Sequence, residues 1–90
     1  MAEIIDCSIV YLYKKNERKL IARSQAKRFL SGLDKFKEIT FDYDGIDIIG
    51  QGFADQIYRI FQRENPGIIL HNVNANEEVD FMIQRAIANR

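Results

Sequence analysis

The chain has one cysteine, one histidine and one proline, and no tryptophan, in 90 residues. A lone Cys7 excludes an intramolecular disulfide and a cysteine-based zinc site, each of which needs further thiolates. Its place in an apolar segment predicts that it fills space. His71 is equally solitary, which weakens any Cys/His or Ser/His catalytic pairing, and it reads as a packed or edge residue of a strand. No apolar run is long enough to cross a membrane, and no basic segment followed by an apolar one opens the chain. The expected compartment is the cytoplasm, without membrane contact. Charge of one sign is also lacking: thirteen Lys and Arg balance thirteen Asp and Glu. General nucleic-acid binding, which needs clustered cations along a phosphate backbone, is therefore not expected.

What is present fits one globular domain over residues 1–90. Hydrophobic residues make up 47% and charged residues 29%, a balance that supports a packed core rather than disorder. The chain is organised around FDYDGIDIIGQGFADQIYRIF, residues 41–61. Ile39, Phe41 and Tyr43 alternate with Thr40 and Asp42, the period of a strand. Phe53, Ile57, Ile60 and Phe61 recur at the spacing of one helical face. Between them, Gly45, Gly50 and Gly52 allow a tight turn that feeds the strand into the helix.

In order along the chain, IIDCSIVYLY (residues 4–13) is rich in β-branched and aromatic residues and reads as a strand. Residues 14–17 turn, with Asn16 at the tightest point, and residues 18–22 make a short second strand that pairs with the first as a hairpin. Ser24 is placed to cap a helix whose apolar face is Ala26, Phe29, Leu30 and Leu33. A charged connection leads to the central strand, residues 38–43. The second helix runs from about Gly52 to Glu64 and stops at Asn65-Pro66-Gly67. Residues 68–73 form another strand, Asn74 with Glu77 resembles a capping box, and Val79, Met82, Ile83, Ala86 and Ile87 line a last helix. The expected fold is α/β in the order β-β-α-β-α-β-α, a mostly parallel mixed sheet with helices packed on it and an N-terminal hairpin.

Several constellations have both a functional and a plainer structural explanation. The Gly50-Gln51-Gly52 helix start could hold a phosphate or carboxylate through its N–H groups. The lysine and hydroxyl of a Walker loop are missing, however, and Asp55 in the first turn would repel an anion. Asp42, Asp44 and Asp47 could gather a divalent cation, but their spacing lacks the rest of a calcium loop, and solvated turn residues are the favoured reading. No metal, cofactor or catalytic group is assigned. Asp55 and Arg59 stand at i, i+4 as a surface pair. Arg23, Lys27 and Arg28 form a small basic group at the first helix.

Three ordered motifs go beyond these generic features: IARSQAKRFL, DYDGIDIIGQGFADQIYRIF and NVNANEEVDFMIQRAI. Together they resemble a bacterial STAS-like domain family of unknown function, whose members have an S/ARSQAKRLL-like helix, a DFxGVxxIGQxFADExFRVF-like core and a downstream NAN motif. The resemblance covers most of the chain from about Arg18 and implies the fold of anti-sigma-factor antagonists, small cytoplasmic modules that bind kinase-like ATPases. Those antagonists have a DxSGVxxxDSSG-like segment with a phosphorylatable serine. Here Gln51 occupies that place and cannot accept phosphate.

Because STAS-like members commonly accompany histidine-kinase-type ATPase domains, the resemblance implies a partner of that class, or a transcription regulator, and a non-enzymatic regulatory role. It marks Arg23, Ser24, Gln51, Asp55 and Arg59 as partner-binding positions. The alternative is a small-ligand or nucleotide site at Gly50, Gln51 and Gly52. Homodimerisation through a sheet edge or a helix face is compatible with either.

Overall fold

The computed structural model describes residues 6–89. Strands β1 (Cys7–Tyr11), β3 (Glu38–Asp42) and β5 (Ile69–Val73) form one parallel sheet in the order β1-β3-β5. A second, two-stranded parallel ribbon joins β2 (Lys19–Leu20) to β4 (Ile48–Ile49). Helix α1 spans Arg23–Leu30, and a 3₁₀ turn follows at Leu33–Lys35. Helix α2 covers residues 51–64 as a continuous rod: α-helical over Gln51–Asp55, π-helical over Gln56–Phe61 and α-helical again over Gln62–Glu64. Helix α3 spans Glu77–Ala88.

The central strand shows why the layers form. Ile39 and Phe41, with Tyr43 just beyond, are buried, while Glu38, Thr40 and Asp42 face the other way. In a parallel ladder neighbours in register share a face. Ser8, Val10, Leu70 and Asn72 therefore lie on the covered side with Ile39 and Phe41. The helices occupy that side, with α2 between α1 and α3 and touching both. The core combines Ile39, Phe41 and Tyr43 with Ala26 and Leu30 of α1, Phe53, Ile57 and Phe61 of α2, and Val79, Ile83 and Ala86 of α3. The opposite sheet face, built from Cys7, Ile9, Tyr11, Glu38, Thr40, Asp42, Ile69, His71 and Val73, is covered by no described element.

Three expectations need correction. The N-terminal hairpin does not form. The turn itself does, with Asn16 at φ 64° and the Glu17 N–H donating to the Lys14 carbonyl at 2.8 Å. Beyond it, however, the Arg18 carbonyl accepts from Asp47 N–H at 2.8 Å and the Leu20 carbonyl from Gly50 N–H at 2.9 Å. This pairing buries Leu20 and Ile49 together, which a hairpin on β1 would not do. The glycine segment thus contains the strand β4, and the order is β-β-α-β-β-α-β-α, with every named strand pair parallel. Cys7, expected to fill space, is exposed on the open face.

The caps also differ. Ala22, not Ser24, precedes α1, and Ser24 is the exposed second helical residue. Alanine has no acceptor side chain, so the end is closed from within: the Gln25 side-chain oxygen accepts from Ile21 N–H at 2.9 Å and Ala22 N–H at 2.8 Å. At α3 the cap is Asn76, whose Oδ1 accepts from Val79 N–H at 2.8 Å. Asn74 instead adopts φ 59° and donates to Asp42 Oδ1 at 3.0 Å.

Candidate functional site

The start of α2 is fixed by contacts to the backbone ahead of α1. A Cβ at Gly50 would lie 2.8 Å from the Ile21 carbonyl oxygen, so only glycine allows the two chains to approach this closely. That same carbonyl accepts the Phe53 N–H at 3.2 Å. One donor of the glycine-rich helix start is therefore already used within the protein, and the tight turn here serves packing. A Cβ at Gly52 would meet Arg23 N at an ordinary 3.5 Å.

From this start a polar stripe runs down α2 at intervals of four residues: Gln51, Asp55 and Arg59. Gln51 is exposed, and Asp55 and Arg59 are partly buried, with Arg59 Nη2 3.9 Å from Asp55 Oδ2. Gln51 and Asp55 border a narrow crevice against α3, together with Met82, Arg85 and Asn89. Arg59 also opens onto a wider cleft of about 620 Å³ with Arg63, Pro66 and Ile68. The stripe thus offers an amide, a carboxylate and a guanidinium in one line, a surface suited to directional polar recognition.

Arg23 does not join it. Its Nη1 donates to Gln56 Oε1 at 3.2 Å in the separate groove between α1 and α2. Helix α2 itself divides the residues implied by the resemblance, with Gln51, Asp55 and Arg59 toward α3 and Arg23 toward α1. Ser24 is exposed on α1. Gln56 was not anticipated as a site residue, although it is the buried polar side chain of α2 at 8% exposure and sits at the first residue of the π-helical stretch. The signal was its position three residues after Phe53, on the helical face that reads as core.

A buried hydroxyl chain was also missed. Tyr43 and Tyr58 hydroxyls lie 2.6 Å apart, and Tyr58 donates to Asn72 Oδ1. Burial pushes both phenols upward in pKa. Both are therefore neutral at physiological pH and tie α2 to β3 and β5.

The aspartates of the loop have separate tasks. Asp42 accepts from Asn74 and from Asp44 N–H at 2.9 Å. These bonds, that of Asn74 foremost, hold its carboxyl below the usual range. Asp47 pairs with Arg18 at 3.1 Å and thereby lifts the guanidinium further. No group of three or more His, Cys, Asp and Glu fit to hold a metal ion occurs among the described residues. His71 contacts Glu38 at 2.8 Å on the open sheet face. Cys7 lies two strands away, about 10 Å at ordinary strand spacing, so the two do not form a nucleophile–base pair.

No helix among the described residues is long and apolar enough to cross a membrane. Residues 25–80 match the model of a protein family described as a STAS-like domain of unknown function (DUF4325). The matched span contains Gly50, Gln51, Gly52, Asp55 and Arg59 and begins just after Arg23 and Ser24. Neither the curated proteins nor the solved structures contain a match to the chain.

Proposed function

The chain belongs to the family of STAS-like domains of unknown function, and from that membership we propose that it is a non-enzymatic regulatory module, one 90-residue domain that binds a protein partner. The observation that supports this most is the Gln51-Asp55-Arg59 stripe, which runs along α2 from the turn after β4, with Gln51 exposed and Asp55 and Arg59 partly exposed beside α3. A histidine-kinase-type ATPase or a transcription regulator is the partner class we assign, on the resemblance to anti-sigma-factor antagonists. With Gln51 at the helix start, the module is not switched by phosphorylation at that position.

Affinity capture from the native host, with and without ATP and read by mass spectrometry, tests this. Gln51→Ala and Asp55→Asn should recover at least tenfold less of the principal partner while melting within a few degrees of wild type. Equal recovery of the same proteins by wild type and both variants would remove the stripe from the interface.

A further inference from the structure

We propose that β5 is a self-pairing edge, through which two copies of this chain join antiparallel strands into one continuous sheet. Among the described residues the sheet ends at β5, which pairs with β3 alone. In that pairing the Ile69 N–H donates to the Lys37 carbonyl and the Val73 carbonyl accepts from Tyr43 N–H. Parallel ladders alternate, so β3 takes the backbone groups of Ile69, His71 and Val73, while those of Leu70 and Asn72 point away from the sheet. An edge of this kind is a template for another strand, and proteins usually blunt it with lysine, proline or a bulge. Ile69-Leu70-His71-Asn72-Val73 has none of these: it is regular, and carries no lysine, proline or acidic residue.

The sequence of the edge selects a second copy as its occupant. A two-fold axis through His71 sets Leu70 of one copy opposite Asn72 of the other. Their outward N–H and C=O groups then close four backbone hydrogen bonds, two at each end. The same register places Ile69 directly opposite Val73 of the second copy on the open face, at both ends of the pairing. These two β-branched side chains are 54% and 40% exposed in the single chain, and a cross-strand pair covers both. No net charge opposes the approach of two copies. The contact is short, so the association is weak and concentration-dependent. The interface lies on β5, away from the α2 stripe, and it stands or falls independently of the partner assigned above.

Sedimentation equilibrium of the full chain from micromolar to millimolar concentration reads this directly, with circular dichroism checking the fold of each variant. Wild type should approach twice the chain mass. Ile69→Lys with Val73→Lys sets lysine against lysine at both ends and should weaken association at least tenfold. Ile69→Lys with Val73→Glu sets lysine against glutamate in the proposed register and should restore it. A monomeric wild type at millimolar concentration overturns the proposal, as does unchanged association of the double-lysine variant. A monomeric wild type that nevertheless binds a synthetic peptide of residues 67–75 would also overturn it, by showing that the edge accepts a free strand and not a second copy.

Discussion

At the scale of single residues, Gly50 and Asn74 make the sharpest claims. The backbone at Gly50 is ordinary in φ, so its requirement is one of space: a methyl group there meets the Ile21 carbonyl oxygen at 2.8 Å, and a backbone atom cannot swing aside as a flexible side chain would. Gly50→Ala should therefore destabilise the protein by about 1–3 kcal/mol, the usual cost of overpacking, visible as a lower urea midpoint. Gly67→Ala, with open space around it, is the control and should shift stability little. Asn74 acts through a hydrogen bond to a carboxylate. Its side chain is the leading reason that the Asp42 carboxyl titrates low. A depressed folded-state value means that Asp42 adds stability above its unfolded pKa near 4 and loses it as pH falls through the lower folded value. Asn74→Gly removes the donor while retaining an easy positive φ. The stability gap between wild type and this variant should be widest near neutral pH and narrow below about pH 4, as measured by urea unfolding at a series of pH values. A gap that stays constant down to pH 2 would mean that Asn74 matters for its backbone alone.

At the scale of elements, helix ends separate what the sequence discloses from what it hides. A serine before an apolar helical pattern is a strong cap signal, yet α1 is capped two residues earlier, at Ala22, and closes on Gln25, because the Ile21–Ala22 backbone is drawn against Gly50 by the β2–β4 ribbon. That ribbon is a long-range pairing of two-residue strands, too short to leave a periodic trace. For the same reason the sequence pattern suggests a hairpin on β1 that the fold does not contain. By contrast, the strand at residues 38–43, the second helix and the last helix were legible, since Ile39/Phe41/Tyr43, Phe53/Ile57/Phe61 and Val79/Ile83/Ala86 alternate or recur over enough residues to declare their faces. Of the candidate site, the motif order picked out Gln51, Asp55 and Arg59, which the helix does bring into line. Pairwise spacing could not reveal that Arg23 turns to Gln56 across α2. The caps give a direct test. Ser24→Ala should change stability by less than about 0.5 kcal/mol, as for an ordinary surface position. Asn76→Ala should cost about 1 kcal/mol through loss of its bond to Val79 N–H. Thermal and urea unfolding of the two variants side by side would expose a reversal of this order.

At the scale of the whole molecule, the governing fact is that the described helices all lie on one side of a three-stranded sheet. A parallel sheet is normally covered on both faces, yet here the face away from the helices presents Ile9 and Tyr11 at 57% and 66% exposure alongside Ile69 and Val73. The same strands thus hold two populations of apolar side chains, one buried and one open, distinguished only by parity along the chain. Stability resides in the buried population. Phe41 is fully buried and stacks edge to face on Tyr58, with ring centroids 6.3 Å apart, so Phe41→Ala should cost about 3–5 kcal/mol. Tyr11, one register row from Phe41's neighbour Val10 but on the opposite face, should accept Tyr11→Lys within about 0.5 kcal/mol. The charge should also raise solubility near the isoelectric point of about 6.6, where a chain without net charge has least repulsion to keep copies apart. Urea titrations of both variants, with the solubility of wild type and Tyr11→Lys compared at that pH, put the two-layer arrangement to the test. If Tyr11→Lys destabilises the chain as severely as Phe41→Ala, the face taken here as open is in fact covered, and the molecule has a third layer.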